Sequence, residues 1–178
     1  MKPSISIRPT LILALICLLS TLLLAGLNHL TTPIITKNEA QSANETYAAL
    51  LPNADGFTAL SCDIDGVTAV MKADNGAGFV ITAQSRGYGG QVPAAVAFSP
   101  DGTILDVTMM DNSETPGLGQ KVTEDAFSGQ FAGRDASEFT IDDIDAITGA
   151  TISSKAAVSA INLAIEAYQE IGGAGHAQ

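Results

Sequence analysis

Four hydroxyls, those of Thr148, Thr151, Ser153 and Ser154, crowd the stretch Asp145-Ala146-Ile147-Thr148-Gly149-Ala150-Thr151-Ile152-Ser153-Ser154, directly ahead of a helical pattern over Lys155–Ile171. A small-residue turn that opens a helix can hold an anion. The first helical N–H groups have no internal acceptor, and the macrodipole adds partial positive charge at that end. Gly149 and Ala150 would let a phosphate approach the backbone. The same residues also describe an ordinary N-cap, because Ser and Thr cap helices widely. A threonine hydroxyl is a poor nucleophile without activation, and the chain offers no convincing general acid–base pair to provide it. A second stretch, Asn112-Ser113-Glu114-Thr115-Pro116-Gly117-Leu118-Gly119-Gln120-Lys121, is a Pro-Gly turn with another glycine two residues on, a loop whose backbone lies open.

The remaining candidates point to packing. Cys17 and Cys62 make no disulfide framework, and His29 and His176 are isolated. Asp142, Asp143 and Asp145 lack the glycine and closing glutamate of a calcium loop and read as a solvated acidic turn. Arg86-Gly87-Tyr88-Gly89-Gly90 is glycine-rich but has no Lys-Ser/Thr ending and no following helix, so it is not a P-loop. A net charge of −11 leaves no basic patch for nucleic acid.

The elements that must position these stretches follow from hydropathy and turns. Thr10 to Leu27 carries no charge and is dominated by Leu, Ile and Ala, near the length that crosses a bilayer as a helix. A cleaved signal peptide or a lipobox at Cys17 would compete with an uncleaved anchor. The run is long for the first, and it continues past Cys17, against the second. Lys2 and Arg8 are the only charges before residue 37, and all nineteen carboxylates lie from Glu39 onward. By the positive-inside tendency, residues 1–9 are cytoplasmic, 10–32 span the membrane and the acidic remainder faces outward. Pro33 is expected to close the anchor. A polar, Ala-rich helix then runs to Leu51, stopped by Pro52, within a juxtamembrane linker over 33–55.

From Phe57 the pattern turns to strands: Phe57–Asp63, Val67–Lys72, Gly78–Gln84, Val92–Ser99 and Thr103–Met110, broken at Asp65-Gly66, Asn75-Gly76 and Pro100-Asp101-Gly102. Val122–Phe131 predicts a short helix anchored by Phe127. Phe139 and Ile141 should point inward from an acidic connector. Val158, Ile161, Ile165 and Tyr168, with Ala157 and Ala164, form one apolar helix face. The predicted class is α+β: an N-terminal transmembrane helix, then a mostly antiparallel sheet with packed helices over 56–172, and a flexible tail from 173 to 178.

Asp145-x-x-Thr148-Gly149-Ala150-Thr151-x-Ser153 resembles the flavinylation motif of the FMN-binding domain in the G subunit of Rnf electron-transport complexes. The C subunit of the sodium-pumping NADH:quinone reductase carries the same motif. Glu114-Thr115-Pro116-Gly117-Leu118-Gly119 is similar to that family's second signature in all its residues. The family often has a polar residue and Lys ahead of the glutamate, where this chain has Asn112 and Ser113.

The resemblance implies FMN bound covalently through a phosphoester on Thr151, placed there from FAD by a separate flavin transferase. It assigns Asp145 and Ser153 to recognition or orientation, and Thr148, Gly149 and Ala150 to the phosphate turn. Glu114, Thr115, Pro116, Gly117, Leu118, Gly119 and Lys121 would lie in the loop against the flavin. It further implies an electron carrier in the inner membrane, partnered by other Rnf membrane subunits including a second flavin-bearing one, in ferredoxin:NAD oxidoreduction coupled to ion movement. The acidic surroundings would lower the flavin's potential. Chain size and the short anchor resemble the Rnf subunit more than the quinone-reductase subunit. A stand-alone membrane flavoprotein, or a tethered binding or assembly module without cofactor, are the other readings.

Overall fold

Period-two runs of Val, Ile, Thr and Phe bounded by turn dipeptides favour half-buried strands, and five form here. The computed structural model describes residues 7–173; Lys2, His176 and the tail from 174 to 178 lie outside the described residues. The chain divides into two compact units, Met1–Asn44 and Glu45–Gln178.

In the first unit, helical backbone begins at Ile7, in a helix (α1) that extends to Leu50. Pro9–His29 within it has a mean hydropathy of 2.6 and is apolar and long enough to cross a membrane. Pro33 does not end the helix, contrary to the sequence expectation. Proline removes one N–H and crowds the preceding turn. In that turn Thr31 Oγ1 donates to the Leu27 carbonyl at 2.9 Å and Thr32 Oγ1 to the Asn28 carbonyl at 2.6 Å. These bonds go to the Leu27 and Asn28 carbonyls and not to that of His29, the one that loses the Pro33 N–H, so they do not explain the continuation of the helix.

The second unit takes up the end of α1, where Tyr47, Leu50 and Leu51 are buried. Five strands follow: β1 (Phe57–Leu60), β2 (Val67–Ala73), β3 (Phe79–Arg86), β4 (Gln91–Phe98) and β5 (Ile104–Met109). They form one sheet in the order β1-β2-β3-β4-β5, every neighbour antiparallel. A short helix α2 (Asp125–Ser128) and the long helix α3 (Thr151–Gly173) complete the unit. The predicted α+β class holds. The helix expected over Val122–Phe131 is instead a 3-10 turn, Gly119–Thr123, and the one-turn α2, separated by Glu124 in extended conformation. Phe127 is buried as expected.

α3 lies over β3 and β4. Its facing side carries Ala157, Ala160, Ile161 and Ala164, all fully buried, so the helix can sit close to Ile81, Ala83 and Val96 of the sheet. Tyr168 stacks on Phe98 with centroids 4.7 Å apart, and its hydroxyl donates to the carbonyls of Ser99 and Pro100 at 3.1 Å each. Asn162 pairs with the Phe139 backbone twice, accepting its N–H at 3.0 Å and donating to its carbonyl at 2.8 Å. The acidic connector ahead of α3 is thereby pinned to the helix. Within the connector, Asp143 accepts from the N–H and hydroxyl of Thr140, both at 2.7 Å. These attachments fix where α3 begins.

On the opposite face of the sheet, Thr82 donates to the Tyr47 hydroxyl at 3.3 Å, and Tyr47 meets Phe57 edge-on at 6.0 Å.

Ile161 is fully buried, whereas Ile152, on the same helix, is 56% exposed. Truncation to alanine is expected to cost about 2–5 kcal/mol at Ile161 and within roughly 0.5 kcal/mol of nothing at Ile152. Chemical denaturation of the detergent-solubilised protein measures the difference, and equal costs would contradict this packing.

Candidate functional site

Two turns of the same kind face each other. In Thr115-Pro116-Gly117-Leu118 the Leu118 N–H donates to the Thr115 carbonyl at 3.1 Å; in Ile147-Thr148-Gly149-Ala150 the Ala150 N–H donates to the Ile147 carbonyl at 3.0 Å. The third residue of each is a glycine with positive φ, +74° at Gly117 and +81° at Gly149, and among the described residues no non-glycine has positive φ. That combination is the type II turn, which needs glycine at its third position. Proline at the second position of the first turn presets the required φ. The turns lie close: a Cβ on Gly149 would be 3.7 Å from Leu118 Cδ2.

The second turn delivers the chain into α3, four residues earlier than the sequence pattern suggested. Thr151 is the first helical residue and is exposed. Ser154 is fully buried; its hydroxyl accepts the Ile147 N–H at 3.1 Å and donates to the Ala150 carbonyl at 3.1 Å, locking turn to helix. The N–H groups of Thr151, Ile152 and Ser153 have no acceptor among the described residues. An anion at the start of α3 would meet these donors and the positive end of the helix dipole.

Glu114 joins the parts. Its side chain is 1% exposed. One carboxylate oxygen accepts the Ser153 hydroxyl at 2.5 Å, and the other accepts the Gly89 N–H at 2.8 Å. The turn after β5, the start of α3 and the glycine-rich loop between β3 and β4 therefore meet on one carboxylate. Asn112 aims it, its Oδ1 accepting the Glu114 N–H at 3.1 Å. Burial pushes the carboxyl's pKa up, but the Ser153 hydroxyl and the N–H groups of Gly89, Gly90 and Tyr88 outweigh it and hold the pKa below the ordinary glutamate value. Gly119 is required by close approach: a Cβ there would lie 2.6 Å from Ser153 Oγ and 2.8 Å from Glu114 Oε2.

A cleft of about 340 Å³ opens between the turns, lined by Tyr88, Thr115, Leu118, Gly119, Gly149, Ala150, Ile152 and Ser153. That lies at the small end of ligand pockets, about 300–1,000 Å³. Tyr88, Leu118 and Ile152 are 73%, 47% and 56% exposed, and large apolar side chains left in the open on a globular unit mark a contact surface. Donors for an anion, glycines that permit close approach and three apolar flanks suit a phosphorylated molecule with a flat ring.

Of the residues singled out from the sequence, Thr115, Leu118, Gly119, Gly149, Ala150 and Ser153 line this cleft. Thr151 lies between lining residues Ala150 and Ile152. Glu114 turns inward, away from solvent. Thr148, Pro116 and Gly117 shape the turns from positions outside the lining. Asp145 and Lys121 are exposed and also outside it, and Asp145 is held through its backbone, its N–H donating to Gln130 Oε1 at 2.6 Å. Sequence reasoning missed Tyr88 and Ile152. The signal for Ile152 was an apolar residue in the first turn of α3, off its core face. Tyr88 stood as the lone aromatic in a glycine-rich loop.

Because the native pKa of Glu114 lies below its unfolded value, the carboxylate contributes stability above the ordinary glutamate range and loses it as pH falls through the native pKa. Thermal unfolding followed against pH is expected to show stability falling on acidification, with a shallower fall in Glu114→Gln. Identical slopes in the two proteins would contradict the ionised clasp. Glu114→Ala should cost more at neutral pH, about 1–3 kcal/mol for the buried Ser153 hydroxyl left unpaired.

Comparison with known proteins identifies the family. The FMN-binding domain family matches residues 87–166, and the RnfG N-terminal region family matches residues 1–50. The chain is 34% identical over 161 residues to the G subunit of the proton-translocating ferredoxin:NAD(+) oxidoreductase complex of Clostridium ljungdahlii, covering 86% of each chain. It is 30% identical over 188 residues to the G subunit of the Na(+)-translocating ferredoxin:NAD(+) oxidoreductase complex of Acetobacterium woodii, covering 90% of each. The crystal structure of Shewanella oneidensis NqrC shares the fold, with a TM-score of 0.52 and 22% identity over 68% of this chain and 70% of that one. With relatives spanning nearly the whole chain and both family models matched, this protein belongs to the RnfG family, the G subunits of ion-translocating ferredoxin:NAD(+) oxidoreductase complexes, and carries that family's FMN-binding domain.

Proposed function

We propose that this chain is the electron-carrying G subunit of a membrane-bound, ion-translocating ferredoxin:NAD(+) oxidoreductase complex, with FMN attached through a phosphoester to Thr151. The observation that carries the reading is the convergence of both signature turns on one cleft at the start of α3, where Thr151 is the first helical residue. FMN, when bound, supplies reversible electron uptake and release.

The residues divide the remaining work. The N–H groups of Thr151, Ile152 and Ser153 would hold the phosphate, and the open backbone at Gly149 would let it come close. Tyr88, Leu118 and Ile152 would flank the ring and keep water from part of it. Gly119 and Ser153 form the floor, with Ser153 held in place by Glu114. No residue here must move a proton. Thr151 acts as a substrate during maturation: a flavin transferase would join its Oγ1 to the FMN phosphoryl group of FAD, with AMP leaving. Its exposure supports that role, since an external enzyme has to reach it. Attachment through a covalent bond also retains the cofactor in a compartment without a cytoplasmic flavin pool.

The apolar span Pro9–His29 supports membrane anchoring. Positive residues at 2 and 8 support a cytoplasmic N-terminus and, with one span among the described residues, an extracytoplasmic flavin domain. Partners would be the complex's other membrane subunits, including a second flavin-bearing one.

Expression with a flavin transferase is expected to give a band that fluoresces under ultraviolet light in a denaturing gel. The fluorescence should vanish in Thr151→Ala and persist in Thr148→Ala. A fluorescent Thr151→Ala band would move the attachment elsewhere.

A further inference from the structure

We propose that the buried Glu114 carboxylate is a fixed negative charge directly behind the floor of the cleft, and that it depresses the reduction potential of the flavin held there. The inference rests on the flavin reading of the cleft and adds to it a residue that touches no ligand.

Geometry places the charge. Ser153 and Gly119 both line the cleft, and Glu114 lies against both from behind. Its carboxylate oxygen is 2.5 Å from Ser153 Oγ and 2.8 Å from where a Cβ on Gly119 would stand. A single layer of protein therefore separates the carboxylate from the cavity. Its hydrogen-bond partners, the Ser153 hydroxyl and the Gly89 N–H, are neutral dipoles that offset part of the charge but bring no positive charge of their own. The side chain is 1% exposed, so water reaches it only across the thin layer that lines the cleft and screens it less than an exposed group. A charge in such surroundings acts several-fold more strongly over a few ångströms than one in water.

Any electron placed on the ring without a compensating proton meets this charge at close range. Reduction then becomes harder and the bound flavin a stronger donor. Among the described residues the other carboxylates are a poorer source of the same effect. Asp106, for example, is exposed on the edge strand β5, and solvent and salt screen such groups. Glu114 is thus a positioning and tuning residue that works through Ser153 and Gly119.

Spectroelectrochemical titration of the full-length, flavin-loaded protein tests this. Glu114→Gln preserves shape and removes the charge. Its midpoint is expected to rise enough to change the oxidised-to-reduced ratio at fixed poise at least tenfold, which is about 59 mV for a one-electron step. Glu114→Asp keeps the charge and should stay near the parent value even where it melts earlier, which separates charge from packing. Asp106→Asn, the exposed control, should leave the midpoint in place. A loaded Glu114→Gln protein with the parent midpoint would overturn the proposal. Should Glu114→Gln fail to load, Ser153→Ala decides: it strips a donor from the carboxylate, so the midpoint should fall, and an unmoved midpoint overturns the role. Parent protein lacking covalent flavin would defeat the flavin reading itself, and this inference with it, whereas loaded proteins with unmoved midpoints defeat only the role of Glu114.

Discussion

Everything at the site depends on how one buried carboxylate is satisfied. Glu114 and Ser153 are 39 residues apart in sequence, and their hydrogen bond joins the loop after β5 to the first turn of α3. The other oxygen reaches the Gly89 N–H, 25 residues back. Both loops are held locally only by short turns, such as the Thr115–Leu118 turn and the Gly87 N–H to Gly90 carbonyl bond, and loop ordering carries an entropy cost that something must offset. Burying a carboxylate without partners would be strongly unfavourable, so the native arrangement is the one in which all three segments meet. The desolvation cost that makes such a group rare also makes it a demanding constraint on geometry. Glycine at position 119 follows from it, because a side chain there would occupy the space where Glu114 and Ser153 touch.

The scaffold beneath that contact is conventional. An antiparallel sheet in sequential order gives a platform, and a helix faced with alanines settles closely on its two main partners, β3 and β4. Tyr168 fastens one end of α3 to the β4–β5 turn, and Asn162 fastens its middle to the connector. Ser154 ties its beginning to the glycine turn. The helix start, with its uncommitted N–H groups, is consequently held at three levels. A site built on a rigid element keeps its geometry better than one built on loops alone.

Much of this was legible from local signals. Asp-Gly, Asn-Gly and Pro-Asp-Gly announced the hairpins because only certain residues tolerate those turns, and the apolar periodicity from Val158 to Tyr168 announced α3 and its buried side. Thr115-Pro116-Gly117-Leu118 and Ile147-Thr148-Gly149-Ala150 carried turn chemistry in their own composition. What could not be read locally was long-range. Glu114 looks like a loop residue that should face solvent or ligand, and only the distant Ser153 and Gly89 explain why it turns inward. Tyr88 reaches the cleft because β3 and β4 bring its loop beside α3. The first turn of α3 escaped notice because Thr, Ile and Ser are modest helix formers, and the buried Ser153 and Ser154 make up for that through their hydrogen bonds. Pro33 misled in the other direction: the helix runs through it.

Membership of the RnfG family and the shape of the cleft meet at Thr151, the proposed point where a redox ring is tethered. Tryptic mapping with tandem mass spectrometry of protein matured in its native host tests that most directly. Cleavage after Arg134 and Lys155 yields a peptide that contains Thr140, Thr148 and Thr151 as its threonines. Covalent attachment at Thr151 predicts the added mass of an FMN phosphoester on that peptide, with fragment ions placing it on Thr151. An unmodified peptide, or an adduct localised to any other residue, would contradict it.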